Sequence, residues 1–187
     1  MSLSQALLAL AISFATTAVL GPFMIPALAR LKAGQVIRDD GPSRHLSKAG
    51  TPTMGGILII LSLIVANLAV GGQNRELAAV LAVTVAFGVI GFCDDYIKVV
   101  LKRSLGLRAR EKLVMQLFFS LIFGIYLVFG LSRGTDITIP FTGSVIDLGY
   151  FYFPFLIVVF MGAANGVNLT DGLDGLATGV TAVVAMG

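Results

Sequence analysis

Residues 77–98 read LAAVLAVTVAFGVIGFCDDYIK, seventeen uncharged positions that end in two adjacent aspartates, Asp94 and Asp95, with Lys98 one helical turn further on. As a helix rising 1.5 Å per residue, such a run comes close to crossing a hydrocarbon core about 30 Å thick. Four more uncharged runs, at 1–29, 49–74, 113–132 and 148–170, are long enough to do the same. A sixth, 175–187, is apolar but stops after thirteen residues. The composition agrees: 57% of the 187 residues are hydrophobic and 12% charged, against roughly 25% charged in a soluble domain. The expected fold is an all-α polytopic membrane protein, one membrane domain over 1–187. It has five complete transmembrane helices, at about 3–29, 54–72, 77–95, 113–132 and 149–167, plus a truncated sixth at 175–187. A helix cut off in mid-bilayer leaves carbonyls unpaired, so the domain is expected to be incomplete at its C-terminal end.

Several classes are excluded. The net charge is +3 and no block of like charge is long enough for a nucleic-acid tail. One cysteine, Cys93, permits no intrachain disulfide and no multi-cysteine zinc site. The first run lacks the basic start and small-residue cleavage site of a signal peptide, so it counts as a span, with Pro22 and Pro26 expected to kink its second half.

Orientation follows from the basic residues, which are retained on the cytoplasmic side. Arg30, Lys32, Arg38, Arg44 and Lys48 lie between spans one and two, and Lys98, Lys102, Arg103, Arg108, Arg110 and Lys112 between spans three and four: eleven of thirteen. Only Arg75 and Arg133 fall on the other side. The N-terminus is therefore expected outside, with a positively balanced inner face suited to an anionic partner. On the outer side, Ile137, Ile139 and Phe141 alternate with polar positions before a Thr142-Gly143-Ser144 turn, which predicts a short β-hairpin at about 136–147. The aromatic run 150–155 reads as an interfacial belt, and 102–112 as a connection touching anionic headgroups.

Three polar clusters fall at the inner ends of spans. The first runs from Asp39 to Gly56 through KAGTPTMGG (48–56). Thr51 or Thr53 could cap the following helix, and a helix N-terminus preceded by a lysine can hold phosphate. A capped helix behind a solvated basic loop explains the same residues. The second is DDYIK (94–98). Adjacent carboxylates at a membrane boundary need compensation. Projecting about 100° apart on a helix, one can bind a cation such as Mg2+ while the other takes a proton. A plain salt bridge to Lys98 is the competing reading. The third is NGVNLTDGLDGLA (165–177), a polar turn whose spacing departs from a calcium-binding loop. The sequon Asn168-Leu169-Thr170 lies at the inner face, where no glycan is expected. His45 is read as a surface hydrogen-bonder and Cys93 as a small apolar filler.

KAGTPTMGG, DDYIK and NLTDGLDGLA, in that order and spacing, resemble the polyprenyl-phosphate N-acetylhexosamine-1-phosphate transferase superfamily. Within it they resemble the phospho-N-acetylmuramoyl-pentapeptide-transferases, a likeness that also takes in QVIRDDGP (35–42). The resemblance implies transfer of phospho-MurNAc-pentapeptide from UDP-MurNAc-pentapeptide to undecaprenyl phosphate, giving lipid I and UMP with Mg2+ as cofactor. It further implies a multi-pass protein of the bacterial cytoplasmic membrane, active on the cytoplasmic face, dimeric, in contact with membrane lipid and not with nucleic acid. Carried over by motif, Asp94 and Asp95 are the catalytic pair and metal ligands, Asp94 the proton acceptor or lipid-phosphate contact and Asp95 the organiser of metal and diphosphate. Lys48, Thr53, Lys98, Asn168, Asp171 and Asp174 are the substrate-binding residues. The resemblance also implies about ten spans, with a Gly-Asp-x-Gly-Ser metal aspartate and a histidine-rich loop beyond Gly187, so residues 1–187 alone are expected to be inactive. A transferase using UDP-N-acetylglucosamine and a cation-binding transporter are the alternatives.

Overall fold

A computed structural model describes residues 2–32, 53–72, 74–103, 106–170 and 175–186. Two compact units, 1–112 and 113–187, make up the chain.

In the first unit, α1 (Leu3–Lys32) runs unbroken through Pro22 and Pro26. It packs on α2 (Gly56–Val70), which packs on α3 (Arg75–Val99). Between apolar helices in a bilayer, close packing and interhelical hydrogen bonds do the work that water-driven burial does elsewhere. Both devices are present. Ser62, almost wholly buried, accepts from the Ser13 hydroxyl at 3.2 Å and donates to the Ile59 carbonyl at 2.7 Å. At Gly88 of α3, a Cβ would stand 2.0 Å from Ile60 Cδ1, so only a hydrogen fits unless Ile60 moves. Among the described residues of this unit, Leu58, Ala66, Ala79, Val83 and Ile90 are buried apolar side chains.

The helix limits differ from the charge-free runs for local reasons. The start of α3 is Arg75 and not Leu77, because the Asn74 side chain accepts from the Glu76 and Leu77 N–H groups at 2.9 and 3.1 Å. At 15 residues, roughly 22 Å, α2 is shorter than the expected span at 54–72. Among the described residues, four helices are long and apolar enough to cross a membrane: Leu3–Leu31, Arg75–Val99, Ala109–Gly130 and Gly149–Thr170. Gly56–Val70 and Leu176–Ala185 are shorter apolar helices. The chain is thus an all-α polytopic membrane protein, with four of the expected spans meeting the length requirement by themselves.

Next comes α4 (Ala109–Ile125), which starts four residues before the expected 113. Glu111, in its first turn, reaches back to accept from the Arg108 N–H at 2.9 Å. The helix continues as a π-helical turn, Tyr126–Gly130. In the second unit the antiparallel pair β1 (Asp136–Thr138) and β2 (Val145–Asp147) forms the expected hairpin, with Ile137 opposite Ile146. A 3-10 turn, Gly149–Phe151, leads into α5 (Tyr152–Thr170), followed by α6 (Leu176–Met186). Buried Gln116 of α4 accepts from the Asn165 side-chain amide of α5 at 2.9 Å, and the same amide donates to the Met161 carbonyl at 2.7 Å. Buried Ser120 donates to the Gln116 carbonyl at 2.7 Å, and the Phe123 and Phe160 rings meet edge to face at 5.4 Å.

Candidate active site

The last two turns of α3 carry Asp94, Asp95 and Lys98. Spacings of three and four put Lys98 on the same helical face as both carboxylates. The lysine ammonium donates to Asp94 Oδ2 and stands 3.8 Å from Asp95 Oδ1. The ion pair that sequence reading offered as the plain alternative is therefore present. It is only one of the contacts these carboxylates make.

Asp94, with 14% of its side chain exposed, also accepts through Oδ1 from the Leu107 backbone N–H at 2.9 Å. Its carboxylate thereby ties the segment after α3 back onto the helix end. Gly106 makes this approach achievable. Its φ is +59°, in the left-handed region that favours glycine, and a Cβ there would lie 2.5 Å from Asp94 Oδ1 and 2.7 Å from Lys98 Cε. Asp95, 31% exposed, turns elsewhere: its Oδ2 accepts from the Met54 N–H at 3.2 Å, at the entry to α2. The expectation that a threonine caps α2 is corrected for Thr53. Gly55 is the N-cap residue and makes no side-chain cap bond. The acceptor at this helix start comes from α3.

The structure thus brings together Asp94, Asp95 and Lys98, and hangs on them the Thr53–Met54 entry of α2 and the Gly106–Leu107 turn. Asn168 lies exposed on the last turn of α5, in the second unit. Lys48, Asp171 and Asp174 lie outside the described residues, as does the stretch 39–50 with His45. Gly106, Leu107 and the Met54 N–H are the contacts that sequence reading missed. For Gly106 the available signal was a glycine inside a basic connection.

The donor set bears on a metal. Carboxylate oxygens are the ligands a hard cation such as Mg2+ takes, usually one or two together with waters and substrate phosphates. Both oxygens of Asp94 already accept hydrogen bonds, whereas Asp95 Oδ1 has only the 3.8 Å approach of Lys98. Among the described residues no three His, Cys, Asp or Glu side chains gather. Of the described residues, Asp95 is the one whose carboxylate could take a share in holding such a cation.

The family model for glycosyl transferase family 4 matches residues 77–187, well over half of the chain and including all of DDYIK. The chain belongs to glycosyl transferase family 4. A second model, phospho-N-acetylmuramoyl-pentapeptide-transferase signature 1, matches residues 48–60, across the entry to α2. Curated relatives carry that enzyme's name. The one from Desulforamulus reducens is 53% identical over 184 residues, covering 95% of this chain and 55% of the relative. That from Halalkalibacterium halodurans is 50% identical over 181 residues, covering 95% and 55%. That from Caldicellulosiruptor bescii is 51% identical over 180 residues, covering 96% and 56%. The family 4 chain thus spans little more than half the length of these relatives. The signature takes in Met54 and the family match takes in Asp95, so the hydrogen bond between these two residues joins the matched segments.

Proposed function

We propose that the protein to which this chain belongs transfers phospho-MurNAc-pentapeptide from UDP-MurNAc-pentapeptide to undecaprenyl phosphate, releasing UMP and forming lipid I. The observation that carries the reading is the compensated carboxylate pair, Asp94 on Lys98 and Leu107, Asp95 on Met54. It lies at the junction of the two matched segments. The names of the relatives supply the substrate.

An oxygen of the lipid phosphate attacks the phosphorus bearing the sugar, a P–O bond forms, and the P–O bond to UMP breaks. Such a transfer needs positioning and charge compensation more than covalent help. Asp94, fixed by two hydrogen bonds, takes any proton remaining on the attacking phosphate oxygen. Lys98 then faces the anionic phosphates as Asp94 is neutralised. Asp95 would hold Mg2+, which when bound supplies neutralising charge for the diphosphate. Lys48, Thr53, Asn168, Asp171 and Asp174 bind the uridine and phosphates. The basic connections 30–48 and 98–112 draw the nucleotide to the cytoplasmic face of a bacterial cytoplasmic membrane, where the protein works as a homodimer.

The test is the full-length protein in nanodiscs with undecaprenyl phosphate, assayed for UMP and lipid I. Transfer from UDP-MurNAc-pentapeptide supports the proposal. Transfer from UDP-N-acetylglucosamine in its place, or cation flux needing no nucleotide sugar, overturns it. Residues 1–187 alone, with little more than half the relatives' length, are expected to release no UMP in the same assay.

A further inference from the structure

The hairpin between α4 and α5 has two unlike faces. Side chains alternate along a strand, so the Ile137–Ile146 pair and Ile139 share one face while Asp136, Thr138, Val145 and Asp147 share the other. Apart from Val145 the second face is polar. Ile146 remains 44% exposed, although nothing about its face suits water.

The tip is more unusual. Phe141 is wholly exposed, at 108% of its reference area, and has φ +69°, a left-handed conformation that bulky residues rarely adopt. The turn around it is closed by hydrogen bonds. Ile139 N–H donates to the Ser144 carbonyl at 2.8 Å, Gly143 N–H to the Ile139 carbonyl at 3.1 Å, and Ser144 N–H to the Thr142 hydroxyl at 3.3 Å. A fixed turn therefore presents a large aromatic ring in a strained conformation that makes no sense in water.

What covers it follows from continuity. The base of the hairpin is closed by the Leu148 N–H on the Thr135 carbonyl at 3.2 Å. Membrane-crossing helices end at Gly130 and begin again at Gly149. The second opens with exposed Tyr150 and Phe151, the aromatic residues of a membrane–water boundary. Only a few residues on either side tether the hairpin to that boundary.

We propose that the hairpin lies flat in the lipid headgroup layer, its isoleucine face toward the acyl chains and Phe141 inserted as an anchor, with Asp136, Thr138 and Asp147 toward water. An element with one apolar and one polar face at this depth binds lipid as interfacial amphipathic helices do. The inference is independent of the transfer reaction.

Residues 1–187 contain no tryptophan, and in the full-length chain any that lie beyond Gly187 are first replaced by phenylalanine, so that one introduced residue reports alone. F141W, I146W and T138W are each placed in the chain, reconstituted in phosphatidylethanolamine–phosphatidylglycerol vesicles, and compared by emission wavelength and quenching. F141W and I146W are expected to emit at shorter wavelength than T138W and to lose intensity to brominated acyl chains. T138W is expected to lose intensity only to aqueous iodide. F141W quenched by iodide as strongly as T138W overturns the proposal. So does F141W shielded from iodide yet untouched by brominated lipid, which would mean that a protein surface covers the tip.

Discussion

Asp94 has no freedom to spare: one oxygen is held by Lys98, the other by the Leu107 N–H, and Gly106 closes over both. Asp94→Asn in the full-length protein is expected to lower the rate of UMP release by roughly 10²–10⁴-fold, the range for a removed acid–base group, with little change in KM. Gly106→Ala reaches the same carboxylate indirectly. Its methyl group must displace Asp94 Oδ1 or the turn, and a misplacement of about 1 Å can cost roughly 10²-fold in rate. The expected signature is a fall in kcat at nearly constant KM, with restoration in no variant that keeps a Cβ at 106. An unchanged kcat would remove Gly106 from any positioning role. The Asp94–Asp95–Lys98 group was legible in the letters because its members are sequence neighbours on one helical turn. The Met54–Asp95 contact spans 41 positions and the Leu107–Asp94 contact 13. Such pairings depend on how segments pack, which residue spacing does not encode.

Among elements, the hairpin makes a pH prediction. Asp147 accepts from the Thr135 hydroxyl and from the Gly149 N–H at 2.9 Å, and these bonds, the Thr135 one foremost, hold its carboxyl below the ordinary carboxylate value. A lowered folded value means that the contribution is complete above the ordinary value and is lost as pH falls through the folded one. Thr135→Ala is expected to move the Asp147 titration upward, read from its carboxyl carbon shift by NMR. The α4–α5 pair makes a second prediction. Asn165→Ala leaves the buried Gln116 Oε1 without its donor and is expected to cost roughly 1–2 kcal/mol, seen as a lower Tm in detergent. Element types were readable from the uncharged runs and from the alternation at 137–141. The apolar spans expected from Leu77 and Leu113 do not mark where α3 and α4 start, because charge counting stops at the last charged residue. The helices continue over charged residues to where Asn74 and Glu111 satisfy the terminal N–H groups.

For the whole molecule, the uneven distribution of lysine and arginine makes a prediction about sidedness. With Cys93, the single cysteine, changed to serine, Lys102→Cys is expected to react with a membrane-impermeant maleimide only after spheroplasts are opened. Thr142→Cys is expected to react in intact ones. The reverse pattern would invert the topology and move the carboxylate pair away from cytoplasmic nucleotide. The bond between Asp95 and the entry of α2 also has a consequence in time. Ribosomes make α2 before α3, so this 15-residue helix is complete while the acceptor for the Met54 N–H just ahead of it is still unmade. The entry of α2 is therefore expected to be fixed only after α3 has been made. Asp95→Leu should damage yield as well as chemistry. Asp95→Asn, whose amide oxygen can still accept from Met54, should damage chemistry alone.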